Sequence, residues 1–420
     1  MKQRIALIIL LSLSVKLFAQ ENKFERSWKI DSVQIKKNWR TRDKIILREL
    51  QFEPGETIDK NCIETSINQI WNIGNFAFVD YSLDSISPES YLMKIQAKDA
   101  FTLLPIISFN GARDDYNLGL GISDNNFLGR NITLDLSGNI GTYSKNYNVG
   151  VEIPRQLLYK NMTLAFQALN GTGNNFRYAD DSKISVVAYH TKQFSGSIGN
   201  PWHTDYYYTF SPNLNWNIFQ HKTDKSLIET DIPFADDYEV NYLSLSLGES
   251  MGMINRKRHQ RNGYSISAGY GVGIGLDKNS PFYQSFGLNA VYYKLFNPVI
   301  EFSAGYSTGY TTSAKPSLIT YLGPGNIKGL TTGKESGQGY FSGFVKGGFT
   351  YLNRDWFALE QTIYLNFGKA NDRYFDIYKN KPRFSAGTGF KIWTPMIPWL
   401  AASVHFVWLK GGDNWFYLDI

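Results

Sequence analysis

The sequence predicts a mainly β protein: an antiparallel barrel that spans a membrane, preceded by a small mixed α/β domain. Three observations predict it. Only Gly55 and Gly74 fall within the first 100 residues, leaving 35 of the 37 glycines to the remaining 320. The aromatic residues follow the same division, with 10 of 65 before residue 101. Beyond that boundary apolar and polar residues alternate with period two, and no run approaches the ~20 apolar residues of a transmembrane helix.

The first 20 residues, MKQRIALIILLSLSVKLFAQ, carry a basic start (Lys2, Arg4), an apolar stretch from Ile5 to Val15 and a small residue, Ala19. That is the pattern of a secretory signal, with cleavage expected at Ala19 or Gln20. No cysteine follows the cleavage point to hold a lipid anchor. The single cysteine, Cys62, cannot form an internal disulfide. A large exported chain without disulfides suits the bacterial periplasm and outer membrane, and Cys62 reads as a buried, inert thiol. The net charge of +6 and pI near 9.0 are dispersed, which argues against nucleic acid as a partner and allows some attraction to anionic lipid.

Residues 27–98 form the first unit. WKIDSVQIKK (28–37) reads as a strand and RDKIILREL (42–50) as a short helix opened by Thr41. IETSINQIWNIGNF (63–76) reads as a second helix, with Ile63, Ile67, Ile70 and Trp71 at helical spacing. FVDYSLDSI and YLMKIQAKD come next as two strands, completing a β-α-α-β-β order. The exit into Phe101 leaves almost no linker, so the unit is expected to couple closely to the barrel.

Residues 101–420 form the second unit. In NITLDLSGNI (131–140), Ile132, Leu134, Leu136 and Ile140 oppose Thr133, Asp135, Ser137 and Asn139. YNVGVEI (147–153), YSISAGYGVGIG (264–275) and ASVHFVW (402–408) repeat the alternation, which marks strands with one apolar and one polar face. A soluble sandwich would alternate too. Three details favour the membrane. The polar face carries Asp135, Glu152 and Gln167, as a wet lumen would. Tyr206–Tyr208, Trp216, Trp408 and Trp415 stand near strand ends, where interfacial girdles form. Finally, this length divided into ~10-residue strands and turns gives roughly 14–18 strands, and lipid demands that such a sheet close.

Several motifs invite chemistry and fail on context. YLGPGNIKGLTTG (321–333) suggests a phosphate loop, but that motif needs Gly-Lys-Ser/Thr leading into a helix, and here Lys328 precedes Gly329. GYSTG (305–309) fits the nucleophile elbow of hydrolases, which requires a strand-turn-helix. Ser307 lies inside the strand pattern EFSAGYSTGY. His190, His203, His221, His259 and His405 are scattered, with no paired cysteines, so no metal site, cofactor or enzymatic activity is expected.

IILRELQFEPGETID (45–59) and WNIGNFAFVDYSL (71–83) resemble a POTRA domain, the polypeptide-transport-associated module. GISDNNFLGRNITL (121–134) is similar to an early hairpin of the BamA/TamA-type outer-membrane assembly and translocation family. RFSAGTGFKIWTPMIPWLAASVHFVW (383–408) is similar to its penultimate hairpin. PGNIKGL resembles the family's Val-Arg-Gly-Phe signature, with Ile327, Lys328, Gly329 and Leu330 at its four positions. The resemblance runs from about residue 28 to the end.

The resemblance implies a transmembrane barrel of about 16 strands in the outer membrane of a bacterium. A large loop at about 314–338 would fold into the lumen, and a POTRA domain at 27–98 would lie in the periplasm and bind extended segments by strand addition. It further implies insertion or translocation of polypeptides. Unfolded outer-membrane polypeptides or periplasmic chaperones, the lipid bilayer and accessory envelope subunits would be the partners. The alternative is a passive pore, or a structural subunit that docks another envelope complex. Two departures stand out. The signature arginine is Lys328, which lacks the planar fork that grips a carboxylate. The family's aspartate is Asn366. If FALEQTIYLNFG alternates cleanly, Glu360, Thr362, Tyr364 and Asn366 face the lumen, with Glu360 as candidate partner of Lys328. Gly325 and Gly329 would then permit close backbone approach.

Overall fold

The computed structural model describes residues 27–36, 38–112, 115–142, 144–154, 163–179, 182–199, 202–203, 209–210, 213–223, 239–257, 260–315, 318–354, 356–379, 381–394, 397–409 and 416–419. The expected signal at 1–20, Tyr206–Tyr208 and Trp415 lie outside them.

The N-terminal unit contains β1 (Ser27–Lys36), α1 (Asp43–Leu47), β2 (Thr57–Asp59), α2 (Lys60–Asn72), β3 (Phe76–Ser87) and β4 (Ser90–Asp99). Its sheet has the order β2-β1-β4-β3, with β1 and β4 parallel and the other pairs antiparallel. Asp59 starts α2 by accepting a hydrogen bond from the Cys62 backbone at 2.8 Å, which satisfies an otherwise orphan amide. The helix then buries Ile63, Ile67, Ile70 and Trp71 against Ile30, Met93 and Ile95 of the sheet. Each such apolar side chain contributes roughly 1.5–3 kcal/mol, so this packing holds the unit together.

Three details differ from the sequence reading. The second helix is capped by Asp59, begins earlier than residue 63 and ends at Asn72. The first helix is shorter, and Thr41 does not cap it: its hydroxyl donates to Asp99. The short strand β2, after the Pro-Gly turn, was not anticipated. Cys62 is half-buried, and desolvation, with Asp59 and Glu56 nearby, pushes its thiol up, away from the reactive thiolate.

From residue 103 onward the chain forms one antiparallel ladder. β5 (Leu103–Ala112), β6 (Asp115–Phe127), β7 (Ile132–Gly141) and β8 (Ser144–Ile153) begin it, and Ile397–Leu409 and Phe416–Asp419 end it. Among the described residues seventeen segments pair in a ring, the last returning to β5. Glu239–Met251 and Ile254–Lys257 both pair with Gln260–Gly275, as one strand interrupted at Gly252 and Met253.

The alternation sorts side chains to the two faces of this ring. Leu118, Leu120 and Ile122 are exposed outward while Ser123 is buried. Ile363 and Leu365 are likewise exposed, whereas Glu360, Thr362, Tyr364 and Asn366 are buried. An exposed apolar belt on this scale is far beyond the patches of a water-soluble monomer. Among the described residues no helix is long and apolar enough to cross a membrane.

Because α2 supplies most of the N-terminal core, Ile70→Ala is expected to destabilise that unit by about 2–5 kcal/mol. Limited proteolysis should then cut residues 27–98 faster, while the difference in gel mobility between heated and unheated protein, which reports the ring, persists. Loss of that difference would show that the ring depends on the N-terminal unit.

Candidate functional site

Three features set this ring apart from a uniform ladder: a loop packed on the wall, a short seam and a socket for the N-terminal unit. The loop joins Ile300–Thr311 to Gly339–Asn353. Its stem pairs Thr320–Leu322 with Glu335–Gly337. Between them the backbone turns tightly: Asn326 and Ile327 amides donate to Gly323, Leu330 to Ile327, and Gly333 to Leu322. Gly329, at φ +82°, takes the left-handed conformation that such a turn requires. Gly325 does not have the expected role, since a Cβ there would meet nothing within 4 Å.

The loop is held first by apolar contact. Leu322, Ile327 and Leu330 are fully buried and pack with Ala370 on the strand Ala358–Asn371. A Cβ on Gly368 would stand 2.9 Å from Cδ1 of Ile327, so the bare backbone there is the seat of that side chain. The second anchor is ionic. Glu335, only 3% exposed, accepts from Nζ of Lys369 at 3.0 Å, Nε of Arg383 at 3.1 Å and the Ala370 amide at 3.3 Å. One loop carboxylate thus grips two cations on adjacent strands. Removing one partner of so buried a group costs on the order of 3–5 kcal/mol.

The residues singled out in the sequence lie on the loop and on the strand Ala358–Asn371 beneath it. Nζ of Lys328 stands 5.9 Å from the ring centre of Tyr364. Glu360 pairs with Lys346 at 3.3 Å. Asn366 donates from Nδ2 to Oγ of Ser385 at 3.3 Å. Ser307 lies within the strand Ile300–Thr311, its hydroxyl 3.2 Å from that of Tyr340. Sequence reasoning missed Glu335 because a single acid in KESGQG has no periodic context. The signal available was the pair of cations, Lys369 and Arg383, flanking the next turn.

The seam closes the ring. Phe416–Asp419 matches four residues of its neighbour, Ser403–Phe406. Among the described residues it meets β5 through two pairs, Leu418↔Gly111 and Asp419↔Asn110. Residues 103–109 of β5 therefore have no ladder partner on that side among the described residues. Two pairs correspond to about two hydrogen bonds, each worth roughly 0.5–1.5 kcal/mol net. The other side of β5 pairs with β6 along its whole length. Among the described residues the seam is the shortest ladder in the wall.

The socket joins the N-terminal unit to the ring. Asp99 accepts from the backbone amides of Trp39 and Arg40 and from the Thr41 hydroxyl. The Arg40 guanidinium bridges Asp124 at 2.6 Å and Thr102 at 2.7 Å. Asn126 donates to the Thr41 hydroxyl at 2.8 Å, and Asn75 to Oδ1 of Asn131 at 2.6 Å. At Gly129, φ +68°, a Cβ would stand 2.1 Å from the Arg40 carbonyl oxygen, so only glycine fits. A second attachment comes from the end of α2. Asn72 accepts from the Arg256 amide at 3.0 Å and donates to Asn255 at 3.2 Å. Four strands of the ring separate β7 from Glu239–Met251, so the unit reaches across part of one mouth.

The chain matches no family model and no curated protein. Solved structures are similar in fold. BamA from Haemophilus ducreyi lacking POTRA domains 1-3 has a TM-score of 0.54 at 15% identity, over 94% of this chain and 84% of that one. CdiB from Escherichia coli has a TM-score of 0.64 at 9% identity, over 93% and 76%. CdiB from Acinetobacter baumannii has a TM-score of 0.58 at 12% identity, over 93% and 73%. The fold is therefore similar to that of the BamA and CdiB barrels.

The two anchors of the loop are separable by charge reversal. Glu335→Lys places three cations together and should raise protease cutting within 314–338 by about tenfold or more, as expected for losing a buried pair. Lys328→Glu should change cutting by much less. The reverse order of sensitivity would mean that Lys328 is the anchor.

Proposed function

We propose that this chain is an outer-membrane assembly or translocation barrel of a bacterium. Residues 101–420 would span the membrane as sixteen strands, the interrupted pair counting as one. Residues 27–98 would be a POTRA-like domain in the periplasm, and the loop at about 314–338 would lie in the lumen. The observation that carries the reading is the seam, two pairs long among the described residues, beside the run 103–109 that has no partner on that side among them. Support comes from the neighbours in fold, since BamA and CdiB are outer-membrane insertion and secretion proteins. The outward apolar belt supports the membrane placement.

The chemistry needed is backbone pairing. A polypeptide entering hydrocarbon must satisfy its amides and carbonyls internally, because each unsatisfied group costs several kcal/mol there. The free edge of β5 offers a template on which a client segment can add as a strand. Parting the seam loses about two hydrogen bonds, and the client's ladder replaces them. The edge strand β3 of the N-terminal sheet, paired on one side by β4, is a second place for an extended client to add. Unfolded outer-membrane polypeptides and the bilayer are the partners that this mechanism requires; periplasmic chaperones and accessory envelope subunits would meet the N-terminal unit. The alternative, a passive pore or structural subunit, has less support because it gives the short seam no role.

A reversible clamp tests the reading. Gly111 and Leu418 face each other across the seam, at the spacing a disulfide can span. Gly111→Cys with Leu418→Cys, in a Cys62→Ser background, should lose client insertion into proteoliposomes on oxidation and regain it on reduction. Full insertion by the oxidised protein would contradict lateral opening and favour the pore or structural reading.

A further inference from the structure

The loop between Ala358–Asn371 and Arg383–Thr394 does not project from the rim: it folds back on the outside of the ring. Its 3-10 turn, Tyr374–Tyr378, lies on the outward faces of neighbouring strands. The Tyr378 ring stacks on Phe341 at 5.4 Å and 5°, and its hydroxyl is 3.2 Å from that of Tyr306. Tyr374 meets Tyr310 edge-on at 5.7 Å. The seat is built for it: a Cβ on Gly339 would approach Cα of Tyr374 to 3.0 Å.

Between the turn and the wall is a cavity of about 670 Å³, which Phe286, Tyr310 and Phe375 line with Gln338, Arg373 and Asp376. Its volume lies within the ~300–1,000 Å³ of small-ligand sites. Phe375 is 78% exposed at its lip, and Phe286, 44% exposed, belongs to the outward apolar belt. Lys379 holds the Asp376 carboxyl below its usual range, so it is ionised at neutral pH.

The geometry points to a binding site for the saccharide headgroup of a glycolipid in the outer leaflet. This rests on the outer-membrane reading above. Aromatic faces are electron-rich and attract the C–H faces of a sugar ring. A carboxylate, a guanidinium and an amide within the same cavity match the donors and acceptors of its hydroxyl groups. The commitment to a lipid-borne sugar follows from position. The cavity continues the outward belt at the end of the strands opposite the N-terminal unit, where acyl chains give way to headgroups. A soluble glycan would have no reason to meet the lipid-facing Phe286.

The test uses the full chain in phosphatidylethanolamine nanodiscs containing rough lipopolysaccharide, with retained glycolipid counted by native mass spectrometry after detergent extraction. Phe375→Ala should reduce retention about five-fold, the loss expected for one ring face, and deacylated oligosaccharide should compete. Phe296→Ala, an exposed aromatic in the turn at the opposite end, should change nothing. Equal retention by Phe375→Ala would overturn the site. Retention insensitive to the oligosaccharide would show recognition of acyl chains and overturn the saccharide assignment. Equal affinity for the free oligosaccharide without any lipid would overturn the membrane source. Gel mobility of unheated protein from the same discs separates the two readings. A heat-modifiable barrel that retains no glycolipid overturns this inference alone, whereas a chain that never enters the discs overturns both.

Discussion

Hydrocarbon offers no partner to a backbone amide or carbonyl, so a sheet within it must close on itself. On the membrane reading proposed above, the rest of this molecule is arranged around that constraint and around the line where, among the described residues, it is met least well. Ladder after ladder pairs along most of a strand's length, as between Thr163–Ala179 and Ser182–Gly199. Among the described residues the last strand, Phe416–Asp419, returns to the first through two pairs. Closure and weakness are thus properties of the same short strand.

The walls on either side of that line are braced by polar and apolar devices of different kinds. On the N-terminal side, Arg40, Thr41 and Asp99 tie the small unit to Thr102 at the start of β5 and to Asp124 and Asn126 on β6. On the C-terminal side, the loop packs Ile327 and Leu330 on Ala370, with Leu409 of the penultimate strand at the edge of the cluster. Glu335 then links the loop to Lys369 and Arg383. Both braces stop short of the seam. Freedom of movement is therefore concentrated between two stiff walls, as the proposed lateral opening needs.

Much of this was legible in sequence, and the reasons differ from part to part. Strand alternation depends on local residue order, so Ile363 and Leu365 could be assigned outward and Glu360 and Asn366 inward without coordinates. The second helix was legible from the spacing of Ile63, Ile67, Ile70 and Trp71, whereas its start required knowing that Asp59 would cap it. Thr41 illustrates the limit. A threonine before an acidic residue has the look of a cap, but its hydroxyl is taken by Asp99, 58 residues on. Charge partners were the least legible. Glu360 could be placed on the inner face, but the cation that meets it there, Lys346, comes from a different strand and has no local signal. The grip of Glu335 on Lys369 and Arg383 spans 34 and 48 residues, beyond any local pattern.

The central claim is that the seam opens more readily than any other line in the wall. Amide hydrogen exchange on the full chain in nanodiscs reads this directly, since local opening exposes amides in proportion to its free energy. The account predicts that amides of β5 on the seam side and of Phe416–Asp419 exchange far faster than those of Tyr283–Leu295, which is paired on both sides. Equal protection of the two groups would contradict it.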